Sequence, residues 1–104
     1  MLTVRDVIAR DQDGVLTITA DASVQAAIQV MSSRRISALP VMDGERLIGI
    51  VSERDYVRKV ASQRIPAWSV QVGEIMTPDV ITVTPDDSIS HCMKLMSANR
   101  IRHL

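Results

Sequence analysis

Residues 14–39 lie over residues 79–104 without a gap, at an offset of 65 positions (Val15 onto Val80). Identical pairs are Val15/Val80, Thr17/Thr82, Thr19/Thr84, Asp21/Asp86, Ser23/Ser88, Met31/Met96, Ser32/Ser97, Arg35/Arg100, Ile36/Ile101 and Leu39/Leu104. Pairs such as Ile18/Val83 and Val24/Ile89 are conservative. Chance does not easily give this in a gapless window, so the chain carries two copies of one unit. Two copies imply a pseudo-two-fold pair, each covering the other's open sheet face. The second copy stops at Leu104, the counterpart of Leu39. The expectation is therefore a fragment, or a surface that another chain completes.

Within the first copy the pattern reads strand, helix, strand, strand, helix. A helical turn at residues 4–8 and a loop at residues 11–14 precede it. Residues 15–19 are β-rich and predict a strand. Asp21 or Ser23 caps a helix whose inner face is Val24, Ala27, Ile28 and Met31, at i, i+3, i+4 and i+7, and which fades near Arg34 and Arg35. Residues 36–42 form a second strand; Pro40 inside it argues for an edge position or a lapse in the ladder. Asp43-Gly44 is a turn, and residues 47–51 are a third strand. A second helix runs from Ser52 to about Ser62, with Tyr56, Val57, Val60 and Ala61 facing inward. Residues 63–71 are a linker in which Pro66 breaks the helix and Trp68 docks. The pattern then restarts: a helical turn at 72–76, a strand at 80–84, and a helix from Ser88 with Ile89, Met93 and Met96 inside. The boundaries expected are 1–62 for the first copy, 63–71 for the linker and 72–104 for the second copy.

The stretch that carries chemistry is Gly49-Ile50-Val51-Ser52-Glu53-Arg54-Asp55. An apolar strand runs straight into the first turn of a helix, where backbone N–H groups favour anions. Ser52 adds a hydroxyl, Asp55 a carboxylate able to accept two hydrogen bonds from a sugar diol, and Arg54 a charge that forks onto phosphate. These parts suit a ribose phosphate. They equally suit a helix start with a Ser-x-x-Asp capping box and nothing bound.

Composition narrows the function classes. Lys+Arg and Asp+Glu balance at 12 each, so strong non-specific attraction to nucleic acid or acidic membrane is not expected. With no Phe, one Trp and one Tyr, base-stacking platforms are also not expected. Cys92 is the single cysteine, which fits a reducing compartment. No apolar run approaches the roughly 18 residues of a spanning helix. Charges at Arg5, Asp6, Arg10, Asp11 and Asp13 occupy the place of a signal peptide's apolar stretch. A cytoplasmic location is the default expectation.

Ile36-Ser37-Ala38-Leu39-Pro40-Val41, Asp43-Gly44 and the run from Leu47 to Asp55 resemble the cystathionine-β-synthase (CBS) domain. Glu74-Ile75-Met76-Thr77-Pro78 followed by Val80-Ile81-Thr82-Val83 resembles the start of its second copy. The resemblance covers nearly the whole chain and implies an α+β tandem CBS pair of β-α-β-β-α repeats, the second incomplete. It is similar to stand-alone bacterial CBS-pair proteins. Such pairs, or Bateman modules, imply a non-catalytic module that binds adenosine-containing ligands between the copies and regulates a partner. AMP, ADP, ATP, S-adenosylmethionine and NAD(H) are the ligands implied. No cofactor is required; the adenine nucleotide is a regulatory ligand, and the downstream partner stays open. Pairing through helices into a homodimer is also implied, and a truncated copy that exposes apolar surface strengthens that expectation.

Carried onto this sequence, the resemblance implies one site built from Ser52, Arg54 and Asp55. Opposite them would stand the backbone near Ile81 and Thr82 and the side chains of Arg102 and His103. Asp55 would take ribose hydroxyls, Ser52 phosphate or ribose, and Arg102 and His103 phosphate. Ile50 and Ile101 would sandwich adenine. A second, incomplete site would use Leu16, Ser37 and Ala38 and lacks its own Ser/Thr-x-x-Asp turn. The alternative is a structural or dimerisation module with no ligand.

Other residues offer less. His91 and Cys92 are adjacent on a helix, about 100° apart, and do not converge on a metal. Cys92 reads as a small, partly buried residue and His91 as a surface one. Arg34-Arg35 and Arg58-Lys59 read as solvated helix ends, with a triphosphate tail or a dimer surface as the alternative. Met31, Met42, Met76, Met93 and Met96 read as core filling. No nucleophile–base pair or metal set appears, which argues against an enzyme.

Overall fold

The computed structural model describes residues 1–9 and 14–104. The loop expected at residues 11–14 falls outside them except for Gly14, which has φ +73°. Five α-helices and two strands follow in the order α1 (Val4–Ile8), α2 (Val24–Arg34), β1 (Ala38–Asp43), β2 (Arg46–Ser52), α3 (Glu53–Lys59), α4 (Val72–Ile75) and α5 (Ile89–Asn99), among the described residues. Short 3-10 turns occupy Ala61–Gln63 and Ala67–Ser69. The chain forms two compact units: Leu16–Val80, and Met1–Val15 with Ile81–Leu104.

In the Leu16–Val80 unit the apolar alternation of residues 38–52 produces an antiparallel hairpin. Leu39 pairs with Val51 and Val41 with Gly49, so their shared face is buried. Gly44 turns the chain at φ +60°. The register shifts between Val41 and Met42, a bulge that leaves Ile48 without an opposite. Each outer edge gains one bridge: Ile18 runs parallel to β1 at Val41, and Thr77 antiparallel to β2 at Ile50. Ile18 N–H donates to the Pro40 carbonyl at 3.0 Å and Met42 N–H to the Ile18 carbonyl at 2.8 Å. Pro40's missing N–H falls on that same side, so the parallel ladder lapses after one residue, as the proline predicts. The strand expected at residues 15–19 is thus reduced to a bridge. Residues 80–84 form no strand, whereas in the first copy the equivalent segment bonds to Pro40 and Met42.

Helix α2 starts at Ser23, whose hydroxyl accepts from Ala26 N–H at 3.0 Å. It ends at Arg35, which takes the left-handed conformation (φ 55°) and donates its N–H to the last turn. The second copy repeats both ends: Ser88 accepts from His91 N–H at 3.0 Å, and Arg100 has φ 54°. Val24, Ala27 and Met31 bury the predicted face of α2 against Leu39, Val41, Val51, Val60, Val72 and Ile75. The second long helix is shorter than expected. It stops at Lys59, and Ala61–Gln63 continues as a 3-10 turn. Val57 and Ala61 are exposed, because only Tyr56 and Val60 of that set turn toward the core. Trp68 does not dock; it is 70% exposed, while its neighbours Ala67 and Val70 make the contact with the core.

The Met1–Val15/Ile81–Leu104 unit joins α1 to the segment that starts α5. Val4 N–H donates to the Asp87 carbonyl (2.9 Å), Arg5 N–H to Pro85 (2.8 Å), and Ile89 N–H to Leu2 (3.0 Å). The other unit makes the same three bonds at the repeat-equivalent positions: Val72 to Ala22, Gly73 to Ala20, and Val24 to Val70, each 2.8 Å. The helical turn before each copy therefore docks on the other copy's helix start, so the sequence repeats and the compact units divide the chain at different places. What differs is coverage. Val72 and Ile75 are buried beneath β2 and α3, whereas Val7 and Ile8 of α1 are exposed. Cys92 occupies the place of Ala27 and is likewise buried; His91 is exposed. Met93, expected inside, is 62% exposed; among the described residues of this unit no strand pair covers that helix face.

Candidate functional site

Residues 52–55 form the predicted capping box. The Ser52 hydroxyl accepts from Asp55 N–H at 3.2 Å, and Asp55 Oδ2 accepts from Ser52 N–H at 2.9 Å. The Ser52 hydroxyl also donates to Oδ2, at 3.0 Å. The next amide of the turn, Glu53 N–H, donates to the Ser37 carbonyl at 2.9 Å. These bonds satisfy most of the donors that end a helix, leaving less positive potential for an anion than an uncapped turn would offer. The remaining carboxylate oxygen, Oδ1, faces the Lys59 ammonium at 3.4 Å, with the Asp55 side chain only 15% exposed. A carboxylate oxygen has room for more than one donor, so Oδ1 retains acceptor capacity. Arg54 is exposed beside it and Ile50 half-buried.

The Leu16–Val80 unit contains Ile50, Ser52, Arg54, Asp55, Leu16, Ser37 and Ala38. Two residues assigned by resemblance to the second site, Ser37 and Ala38, lie directly against the first: Ala38 pairs with Ser52 across the hairpin. Ile81, Thr82, Ile101, Arg102 and His103 belong to the other unit. There, Ile81, Ile101 and His103 are half-buried and Thr82 and Arg102 exposed.

Two residues make contacts at the site that differ from the sequence expectation or lie outside it. Lys59 is more than the solvated helix end its sequence suggests: its ammonium donates to the Ile75 carbonyl at 2.8 Å and also faces Asp55. Its i+4 spacing from Asp55 was the available signal. Thr77 exchanges two backbone hydrogen bonds with Ile50, at 2.9 and 2.8 Å; no local pattern marks such a long-range bridge. Elsewhere an open apolar groove of about 660 Å³, lined by Met1, Leu2, Ile89 and Met93 among others, sits on the smaller unit. None of the candidate site residues lines it.

The CBS domain model matches residues 4–62 and again 72–104. The chain belongs to the CBS-domain family. A CBS-domain protein from Burkholderia ambifaria MC40-6 has a solved structure that superposes with a TM-score of 0.93 at 41% identity, covering 98% of this chain and 77% of that one. The mitochondrial CBS domain-containing protein CBSX3 of Arabidopsis thaliana is 40% identical over 94 residues, 86% of this chain and 46% of that protein. An inosine-5'-monophosphate dehydrogenase of Methanocaldococcus jannaschii is 36% identical over 91 residues, only 17% of its length. This CBS chain thus spans less than half the length of those two relatives, and the dehydrogenase carries the matching region as a side domain. CBS domains are generally regulatory modules. Among the described residues no helix is long and apolar enough to cross a membrane, and no cluster of His, Cys, Asp or Glu could hold a metal.

Proposed function

We propose that this chain is a non-catalytic regulatory module that binds an adenosine-containing ligand and passes its presence to a protein partner. AMP, ADP, ATP, NAD(H) and S-adenosylmethionine share the adenosine group such a site would recognise. The carrying observation is Asp55: a largely shielded carboxylate with Oδ2 locked by the cap and Oδ1, which faces Lys59, keeping room for outside donors. A ribose diol supplies two such donors, Arg54 supplies charge for phosphate, and Ile50 an apolar edge for adenine. Differential affinity for two arrangements of the module is what would make binding a signal. A homodimer in the cytoplasm fits this reading, with the Met1, Leu2 and Met93 groove as apolar surface to bury. The matched Burkholderia ambifaria protein is named for signal transduction, which supports a signalling role.

One observation favours a second reading, a structural or dimerisation module without ligand. The cap already engages the Ser52 hydroxyl and Asp55 Oδ2, as a purely structural helix start would. Calorimetry and thermal shift with AMP, ATP, NADH and S-adenosylmethionine separate the two. A ligand at 100 times its Kd stabilises by about 2.7 kcal/mol, a rise of roughly 10–20 °C. The Ser52→Ala/Asp55→Ala double variant, still folded by circular dichroism, loses that rise. No shift of the wild-type protein with any of the four at millimolar concentration overturns the sensing function.

A further inference from the structure

Residues 72–77 form a strap: helix α4, then Met76 and Thr77. One end is held by the Val72 and Gly73 amides on Ala22 and Ala20. At the other end, Thr77 pairs with Ile50. Between these ties the Ile75 carbonyl, a helix-end acceptor, receives the Lys59 ammonium at 2.8 Å. The same ammonium faces Asp55 Oδ1 at 3.4 Å. Because Oδ2 is taken up by Ser52, Oδ1 is the oxygen an incoming hydroxyl pair must use, and it is the oxygen Lys59 shares.

We propose that Lys59 is a positioning residue that ties the Asp55 carboxylate to the 72–77 strap, coupling ligand engagement at Asp55 to the hold of that strap. The inference rests on the nucleotide reading of Ser52 and Asp55. Diol donors arriving at Oδ1 compete with the ammonium, and a ligand phosphate attracts it. Either event changes what Lys59 offers the Ile75 carbonyl. Coupling of this kind is reciprocal: loosening the strap changes ligand affinity by the same factor as ligand loosens or tightens the strap. The strap runs on in sequence to Val80, where the larger unit ends and the chain enters the smaller one, so it is the segment through which the larger unit is joined to the second copy's helix.

The test compares the wild-type chain, Lys59→Met, which keeps the aliphatic stem, and Lys59→Arg, which keeps the charge. Amide hydrogen exchange at Met76 and Thr77 is followed with and without AMP, and AMP affinity is measured by calorimetry. Ligand-free Lys59→Met exchanges about fivefold faster at these amides, and Lys59→Arg restores the wild-type rate. AMP changes wild-type exchange there; Lys59→Met loses that response and its AMP affinity shifts by about fivefold or more. Wild-type exchange in ligand-free Lys59→Met overturns the tie, whether or not nucleotide binds. Faster exchange in Lys59→Met with unaltered AMP affinity and response overturns the coupling alone. Absence of any AMP heat with the wild-type protein overturns the coupling together with AMP as the ligand, and leaves the tie decided by the ligand-free arm.

Discussion

Thr77 and Ile50 exchange both backbone hydrogen bonds, bringing the strap against the edge of β2 one residue beyond Gly49. That contact explains why position 49 has no side chain. A Cβ there would meet the Met76 sulfur at 2.6 Å and the Thr77 carbonyl oxygen at 3.0 Å. The thioether can swing away, but the carbonyl is backbone and is fixed by its bond to Ile50 N–H.

Gly49→Ala therefore destabilises the chain by about 1–3 kcal/mol, the usual cost of overpacking. A chain of this size loses roughly 4–8 °C per kcal/mol. The urea midpoint falls correspondingly, and an unchanged midpoint would show that the strap yields without resistance.

Arg35 and Arg100 both close a helix in the left-handed conformation, at φ 55° and 54°, and both are exposed. A non-glycine residue pays a steric penalty there, and glycine carries none. Arg35→Gly is expected to stabilise by roughly 0.5–1 kcal/mol after the extra freedom of the unfolded glycine is set against it. The readout is a higher denaturation midpoint at constant m-value. A lower midpoint means the arginine makes a contribution that outweighs its backbone strain.

Asp6 caps α1: its carboxylate accepts the Thr3 N–H at 2.9 Å and the Thr3 hydroxyl at 3.0 Å. The backbone bond, then the hydroxyl, holds its carboxyl below the ordinary value of 3.8. The folded-state value is lowered, so the capping contribution is present above the ordinary value and disappears as pH falls through the lowered one. The Thr3 amide chemical shift should titrate with a midpoint below 3.8, and Asp6→Asn should abolish that titration. A midpoint at or above the ordinary value would remove the cap from α1.

Local chemistry made a good part of this fold legible in advance. The Ser23 and Ser88 caps, the Arg35 helix end, the buried stripe Val24–Ala27–Met31 and the Ser52/Asp55 box all depend on residues within a turn of one another. Pro40 announced the lapse in the ladder for the same reason, since it lacks a donor wherever it sits. The misreadings arise where a neighbour distant in sequence decides. Trp68 is apolar and large, but the contact went to Ala67 and Val70. Met93 keeps the helical period of a core residue with no hairpin to cover it. At the candidate site, Ser52 and Asp55 were legible and the double engagement of Lys59 was not, because the Ile75 carbonyl reaches it from sixteen residues away.

The sequence alone determined that two copies of one unit exist, where their helices start and stop, and that a carboxylate and a hydroxyl meet at residues 52 and 55. Those outcomes follow from backbone donors and acceptors that are satisfied within a few residues. Only the tertiary structure decided that each copy's leading turn docks on the other copy's helix, and that Asp55 is shared between its own cap and Lys59. Which distant carbonyl completes a half-buried hydrogen bond is settled by packing, and packing has no period that a sequence can display.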